Sequence, residues 1–191
     1  MQKYKFILLI LLSSVLLQSC ATAVVTGAAT GASVAADRRT TGTVIDDQGT
    51  EFKASAAIYK NKNIYDQSHI NVTSYNGLVL ISGETPTESL KQQVGDIVKS
   101  LPKVRRIFNE LIIAAPSSLP SRSSDTWITS KIKAKLTAEK GVNPLNIKVV
   151  TEHGIVYLMG IISRAEADQA ILVVTQSAGV QRVVKLFEYT D

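Results

Sequence analysis

The chain has 191 residues, a formal net charge of +5, one cysteine and two histidines. A lone cysteine excludes an internal disulfide framework, and with only two histidines beside it the usual zinc ligand sets are excluded too. Apolar residues make up 45% of the sequence, enough for packed cores, and the mild basicity gives no reason to expect a nucleic-acid partner.

Lys3 and Lys5 open the chain, and an apolar run over residues 6–17 follows, broken only by Ser13 and Ser14. The run is short for a membrane span and reads as a secretory signal over residues 1–19. Ser19 precedes Cys20, and the stretch Leu17-Gln18-Ser19-Cys20 resembles the lipobox of bacterial lipoproteins, in which the signal is cut before an acylated cysteine. The other reading is an ordinary signal peptide followed by an unmodified cysteine. On the lipobox reading Cys20 is an anchor rather than a nucleophile, and two or more acyl chains hold a protein on a bilayer far more firmly than one. Ala21 is not the aspartate that favours inner-membrane retention, so the implied destination is the outer membrane, facing the periplasm. Two of the positive charges, Lys3 and Lys5, leave with the signal.

Residues 21–36 contain only Ala, Thr, Val, Gly and Ser, which cannot build a core. A flexible tether over residues 20–45 is expected; a segment that touches the membrane through Val24, Val25 and Val34 is the alternative. Arg38 and Arg39 are expected near the membrane surface, on phosphates or in solvent.

The rest of the chain is a repeat. The fourteen residues from Ile70 to Gly83 align without gaps on those from Ile147 to Gly160. Each copy holds a β-branched run, a turn (Asn76-Gly77, His153-Gly154) and a second apolar run, the pattern of a β-hairpin. Helical spacing follows in Leu90, Val94, Ile97, Val98 and Leu101, and again in Ala167, Ala170, Ile171, Val174 and Ala178, closed by Pro102 and Gly179. A third strand is predicted over residues 104–113 and 180–189, and a leading helix over about 51–60 and 126–138. The organisation expected is a first domain over residues 46–115, a Pro/Ser linker over 116–123 and a second domain over 124–191, each reading helix–strand–strand–helix–strand.

This duplicated unit, its paired glycines, the lipobox and the run Asp125-Thr126-Trp127-Ile128-Thr129-Ser130-Lys131 together resemble the dual BON-domain outer-membrane lipoproteins. The resemblance implies an α+β fold of two tandem BON domains, each an αββαβ sandwich with a three-stranded sheet packed on two helices. It also implies a role in phospholipid binding and outer-membrane integrity.

Catalytic chemistry finds no constellation. His69 and His153 fall at non-matching places in the two repeats, and His153 reads as a turn residue. Asp46 and Asp47 are placed ahead of the first helix, as caps or solvated acids rather than an acid–base pair. The glycines of residues 27–31 lack the strand and lysine of a phosphate loop. No enzyme activity, metal or cofactor is expected.

The helix around Trp127 is more informative. At about 100° per residue, Ile128, Ile132 and Leu136 form one stripe toward the sheet, while Lys131 and Ala134 flank Trp127 on another face and Lys135 borders the stripe. The sole tryptophan thus stands among lysines, Lys133 included, as at a membrane–water interface; folding back onto the linker or first domain is the other reading. The phospholipid-binding set expected is Trp127, Ile128, Ser130, Lys131, Lys133, Ala134 and Lys135. The ligands expected are anionic phospholipids such as phosphatidylglycerol or cardiolipin. The first repeat has Gly49 where Trp127 aligns, so no comparable surface is expected there. A rival function is a protein-interaction adapter in envelope assembly or division that uses the same aromatic–basic face, with outer-membrane assembly or division proteins as partners.

Overall fold

The computed structural model describes residues 37–191. The signal, the lipidation site at Cys20 and most of the expected tether lie outside the described residues.

The first repeat comprises helix α1 (Thr41–Lys60), a short α2 (Lys62–Tyr65), strands β1 (His69–Tyr75) and β2 (Leu78–Thr85), helix α3 (Glu88–Lys99), β3 (Arg106–Asn109) and β4 (Ile112–Ile113). The second comprises α4 (Leu119–Ala138), a 3-10 turn (Pro144–Asn146), β5 (Ile147–Glu152), β6 (Ile155–Ile162), α5 (Arg164–Thr175) and β7 (Arg182–Tyr189). In each repeat the second strand is central: β1 and β5 pair with it antiparallel, and β3 and β7 parallel. The expected third strand of the first repeat is split, with Glu110 and Leu111 between β3 and β4, whereas β7 runs unbroken.

The hairpins close through Asn76-Gly77 and His153-Gly154, and in both turns both residues have positive φ. That conformation matches the right-handed twist of the flanking strands. Gly83 and Gly160 lie inside the second strands rather than ending them; a Cβ on either would collide with the carbonyl oxygen of His69 or Asn146 on the neighbouring segment.

Both leading helices start about ten residues earlier, in the first repeat, or seven, in the second, than the apolar spacing predicts. Thr40 caps α1 and Ser118 caps α4, each side chain accepting from the third residue on, and Pro120 sits in the first turn of α4. Much of the expected linker 116–123 is therefore helix. The expected tether likewise ends before Thr41. Arg38 and Arg39 are not at large: Arg38 pairs with Glu166 at 2.8 Å and donates to the Ile161 carbonyl, while Arg39 bonds Asp37 and Asp47 and stacks over the Tyr75 ring at 3.9 Å.

Three apolar clusters hold the unit together. One lies between helices and sheet in the first repeat (Ala54, Ile58, Val79, Ile81, Val94), and one at the matching place in the second (Ile132, Leu136, Val156, Leu158, Ala170). The third joins the two sheets by their other faces: Tyr75, Leu78 and Leu80 meet Tyr157, Met159 and Leu186. Odd and even positions of β2 and β6 thus enter different cores, which is why these strands are apolar without alternation. Fully burying one such side chain is worth about 1.5–3 kcal/mol, so the two repeats are one folding unit rather than beads on a string. Polar contacts rim the joint: Lys148 pairs with Glu51 at 2.6 Å, Arg105 with Glu188 at 3.0 Å, and Tyr75 donates to the Asn146 carbonyl at 3.1 Å.

Candidate functional site

The candidate site is built on α4. Its inner stripe, Ile128, Ile132 and Leu136, is buried against the second-repeat sheet. Near its start the buried Asp125 accepts the backbone N–H groups of His153 and Gly154, both at 2.9 Å, tying the helix to the hairpin turn. The first repeat repeats this device with Asp47, which accepts from Asn76 (2.7 Å), Gly77 (2.9 Å) and the Ser74 hydroxyl (2.6 Å). Asp47 therefore lies within α1 and is buried, not ahead of the helix as the sequence suggested; only Asp46 is a surface acid, pairing with Lys103 at 3.4 Å. The signal was present in the sequence: with the leading helices aligned so that Gly49 falls on Trp127, Asp47 and Asp125 occupy the same place.

Pinned at its start and seated on its apolar stripe, α4 presents a rigid outer face. Trp127 stands on it 66% exposed, and Ser130 and Ala134 lie in the open beside it. The ring does not fold back onto the linker or first domain. Ile128 does not belong to this face: it is turned inward and packed in the core, as its place on the stripe requires, and cannot reach a ligand outside. Lys131 and Lys135 lean across the end of α5, where Lys131 donates to the Ala178 carbonyl at 2.6 Å and Lys135 to the Ser177 hydroxyl at 3.1 Å. Cations are favoured at a helix C-terminus by its partial negative charge. Among the described residues nothing pairs with the ammonium of the exposed Lys133. The seven expected residues thus divide into an exposed ridge (Trp127, Ser130, Ala134), two tethered lysines, one free lysine and one core residue.

The two histidines, unrelated in the repeat alignment, meet at the joint between the repeats. His153 Nε2 lies against one carboxylate oxygen of the fully buried Glu84, whose other oxygen accepts from the Ser117 N–H at 3.0 Å. His69 pairs with Glu84 across β1 and β2. Burial, and then the nearby Arg122 guanidinium, holds the His69 imidazole below its usual range. Burial pushes the Glu152 carboxyl above the usual carboxylate range, against a hydrogen bond from Asn71. Among the described residues no group of acids, histidines or cysteines is arranged to hold a metal ion, and no helix is long and apolar enough to cross a membrane.

The sequence pattern of the BON domain matches residues 46–115 and 124–191. The outer membrane lipoprotein DolP of Haemophilus influenzae is 35% identical over 187 residues, spanning 98% of this chain and 97% of that one. The 21 kDa hemolysin of Actinobacillus pleuropneumoniae is 35% identical across 81% of this chain and 80% of its own length. The osmotically-inducible protein Y of Escherichia coli is 29% identical, covering 83% of this chain and 80% of that one. Among solved structures, the C-terminal domain of CdsD, a structural protein of the type III secretion system of Chlamydia trachomatis, aligns over 76% of this chain and 67% of that chain, at 18% identity and a TM-score of 0.30. Two domain matches falling on two copies of one helix–hairpin–helix–strand unit, with similarity to an outer-membrane lipoprotein along nearly the whole chain, lead to one assignment: the chain belongs to the BON-domain family, as a lipid-anchored protein of the outer membrane.

Proposed function

We propose that this periplasm-facing lipoprotein is a non-enzymatic binder of anionic phospholipid and supports outer-membrane integrity. Contact is through the outer face of α4: Trp127 and Ala134 enter the head-group layer while Lys131, Lys133 and Lys135 meet phosphates. The observation that carries this reading is the exposed indole on a helix locked by Asp125 and its buried stripe. An aromatic ring presented rigidly beside ammonium groups loses little conformational freedom on entering an interface. Each lysine near an anionic surface contributes about 1 kcal/mol, so the face alone binds weakly. Acyl chains on Cys20 would keep the face at high local concentration beside a bilayer, which makes weak contacts sufficient.

Trp127→Glu is expected to abolish binding to phosphatidylglycerol vesicles while circular dichroism and thermal unfolding stay unchanged, because the replaced ring is outside every core. Unaltered vesicle binding by the folded variant would remove the site and leave the surface to a protein-interaction adapter.

A further inference from the structure

The first repeat carries an exposed aromatic surface that the sequence reading did not anticipate. Ile45, Phe52 and Tyr59 are seven residues apart on α1 and so form one stripe along its outer side. Phe52 is 76% exposed, Tyr59 63% and Tyr65 52%, and the two tyrosine rings meet edge to face at 4.6 Å. Beneath them lies a groove of about 420 Å³, floored by Ala56, Ile58 and Ile70. An aromatic surface of this extent left open on a folded unit marks a binding site more often than an accident. His69 forms one wall of the groove. The same histidine is also a wall of a second cavity of about 430 Å³ at the joint between the repeats, where Arg122, Ser130 and Lys133 of α4 stand with the carboxylates of Asp125 and Glu152. Both volumes lie within the roughly 300–1,000 Å³ typical of small-molecule sites.

The charges at this joint are unevenly satisfied. Its carboxylates each hold a hydrogen-bond donor: Asp125 two turn amides, Glu84 the Ser117 N–H, and Glu152 the Asn71 amide. Its cations are not: Arg122 uses Nε and Nη2 on the Ser117 carbonyl, leaving Nη1 without a hydrogen bond among the described residues, and Lys133 has no partner there. A greasy aromatic trough that shares its histidine wall with a cavity holding two under-used cations has the layout of an anionic amphiphile.

We infer that the groove and the cavity form one composite site for a single anionic phospholipid, an acyl chain lying under Phe52, Tyr59 and Tyr65 and the phosphate between Arg122 and Lys133. The inference rests on the phospholipid reading above for the class of ligand, but not on Trp127, which is no part of either lining. Burial and Arg122 keep His69 largely neutral near pH 7, so its imidazole serves as a hydrogen-bonding gatepost between tail and head group rather than a third cation.

The test uses the chain from Cys20 onward, made without acylation, and dihexanoyl-phosphatidylglycerol kept below its micelle concentration. Expected are saturable NMR shifts at Ile58, Tyr59, Tyr65 and Ile70 together with shifts at Arg122 and Lys133. A Phe52→Ser/Tyr65→Ser double variant and Lys133→Gln should each weaken binding by about tenfold or more, and Trp127→Glu should leave it intact. The inference falls if monomeric lipid gives no shifts while vesicles still bind through Trp127, an outcome that leaves the proposed function standing. It falls equally if the double variant binds as well as the parent, or if glycerol 3-phosphate reproduces the full affinity. Binding of monomeric lipid alongside vesicle binding indifferent to Trp127→Glu would keep the composite site and remove the interfacial one.

Discussion

The two repeats share a frame and differ in what they show to the outside. In each, an aspartate of the leading helix holds the hairpin turn and a strand glycine lets the neighbouring segment approach. The frame of the first is the more heavily tied, since Asp47 also bonds Ser74 and Arg39 while Asp125, among the described residues, takes only the two turn amides. The outer faces have diverged: α4 raises one tryptophan among lysines, and α1 lays an aromatic stripe over a groove. Duplication thus conserves the contacts that build the fold and frees the helix face that no core uses. One copy can then specialise as an interface and the other as a pocket.

The frame itself is where the comparison breaks most violently. Gly83→Ala and Gly160→Ala both drive a Cβ into a carbonyl oxygen, but only Gly83 also has a positive φ, of 113°. Overpacking and backbone strain together should cost about 3 kcal/mol or more at Gly83 and less at Gly160, read from urea unfolding of the two variants side by side. Next, Asp47→Ala orphans more buried donors than Asp125→Ala. A loss of about 3 kcal/mol against about 2 kcal/mol is expected in the same assay, and equal losses would mean that the extra Arg39 and Ser74 bonds contribute nothing.

A smaller effect concerns the joint. The folded His69 holds its proton less tightly than an unfolded histidine, so stability is complete above pH 6.5 and is lost as pH falls from there through the depressed folded value. Glu152 works in the opposite sense: its folded carboxyl is raised above 4.5, so its contribution is present in acid and lost as pH rises through the raised value. The groups facing His69 are Arg122, Glu84 and His153. The melting temperature should therefore drop between about pH 7 and pH 5.5, and His69→Gln should flatten that limb; an identical slope would show that another group drives it. Smallest in stability, and sharpest in function, are the surface changes. Trp127→Glu and Phe52→Ser should each shift unfolding by no more than about 0.5 kcal/mol, the first removing vesicle binding and the second weakening capture of monomeric lipid.

Much of the architecture was legible along the chain. Alternating β-branched residues around Asn76-Gly77 and His153-Gly154 specify hairpins because tight turns admit few residue types, and Leu90, Val94 and Val98 mark a helix because every third or fourth residue must meet the sheet. The start of α1 was not legible: from Thr41 to Gly49 the helix carries little apolar pattern, and setting its beginning at Glu51 removed Ile45 and hid the seven-residue stripe with Phe52 and Tyr59. The unbroken apolar runs from Leu78 to Ile81 and from Val156 to Met159 did carry the sign of strands buried on both faces, without saying what covers the second face.

By itself, then, the order of residues determined the repeated unit, the turns and the inward stripe of α4, all matters of local geometry and of which side of one element is apolar. Only the tertiary structure decided that the two sheets close on each other, that Trp127 stands in the open, that His69 and His153 converge on Glu84, that Lys131 and Lys135 lean on the end of α5 while Lys133 stays free, and that His69 walls both a groove of the first repeat and a cavity at the joint. These depend on distances between segments far apart in sequence, set by the packing of whole faces, and no local periodicity encodes such distances.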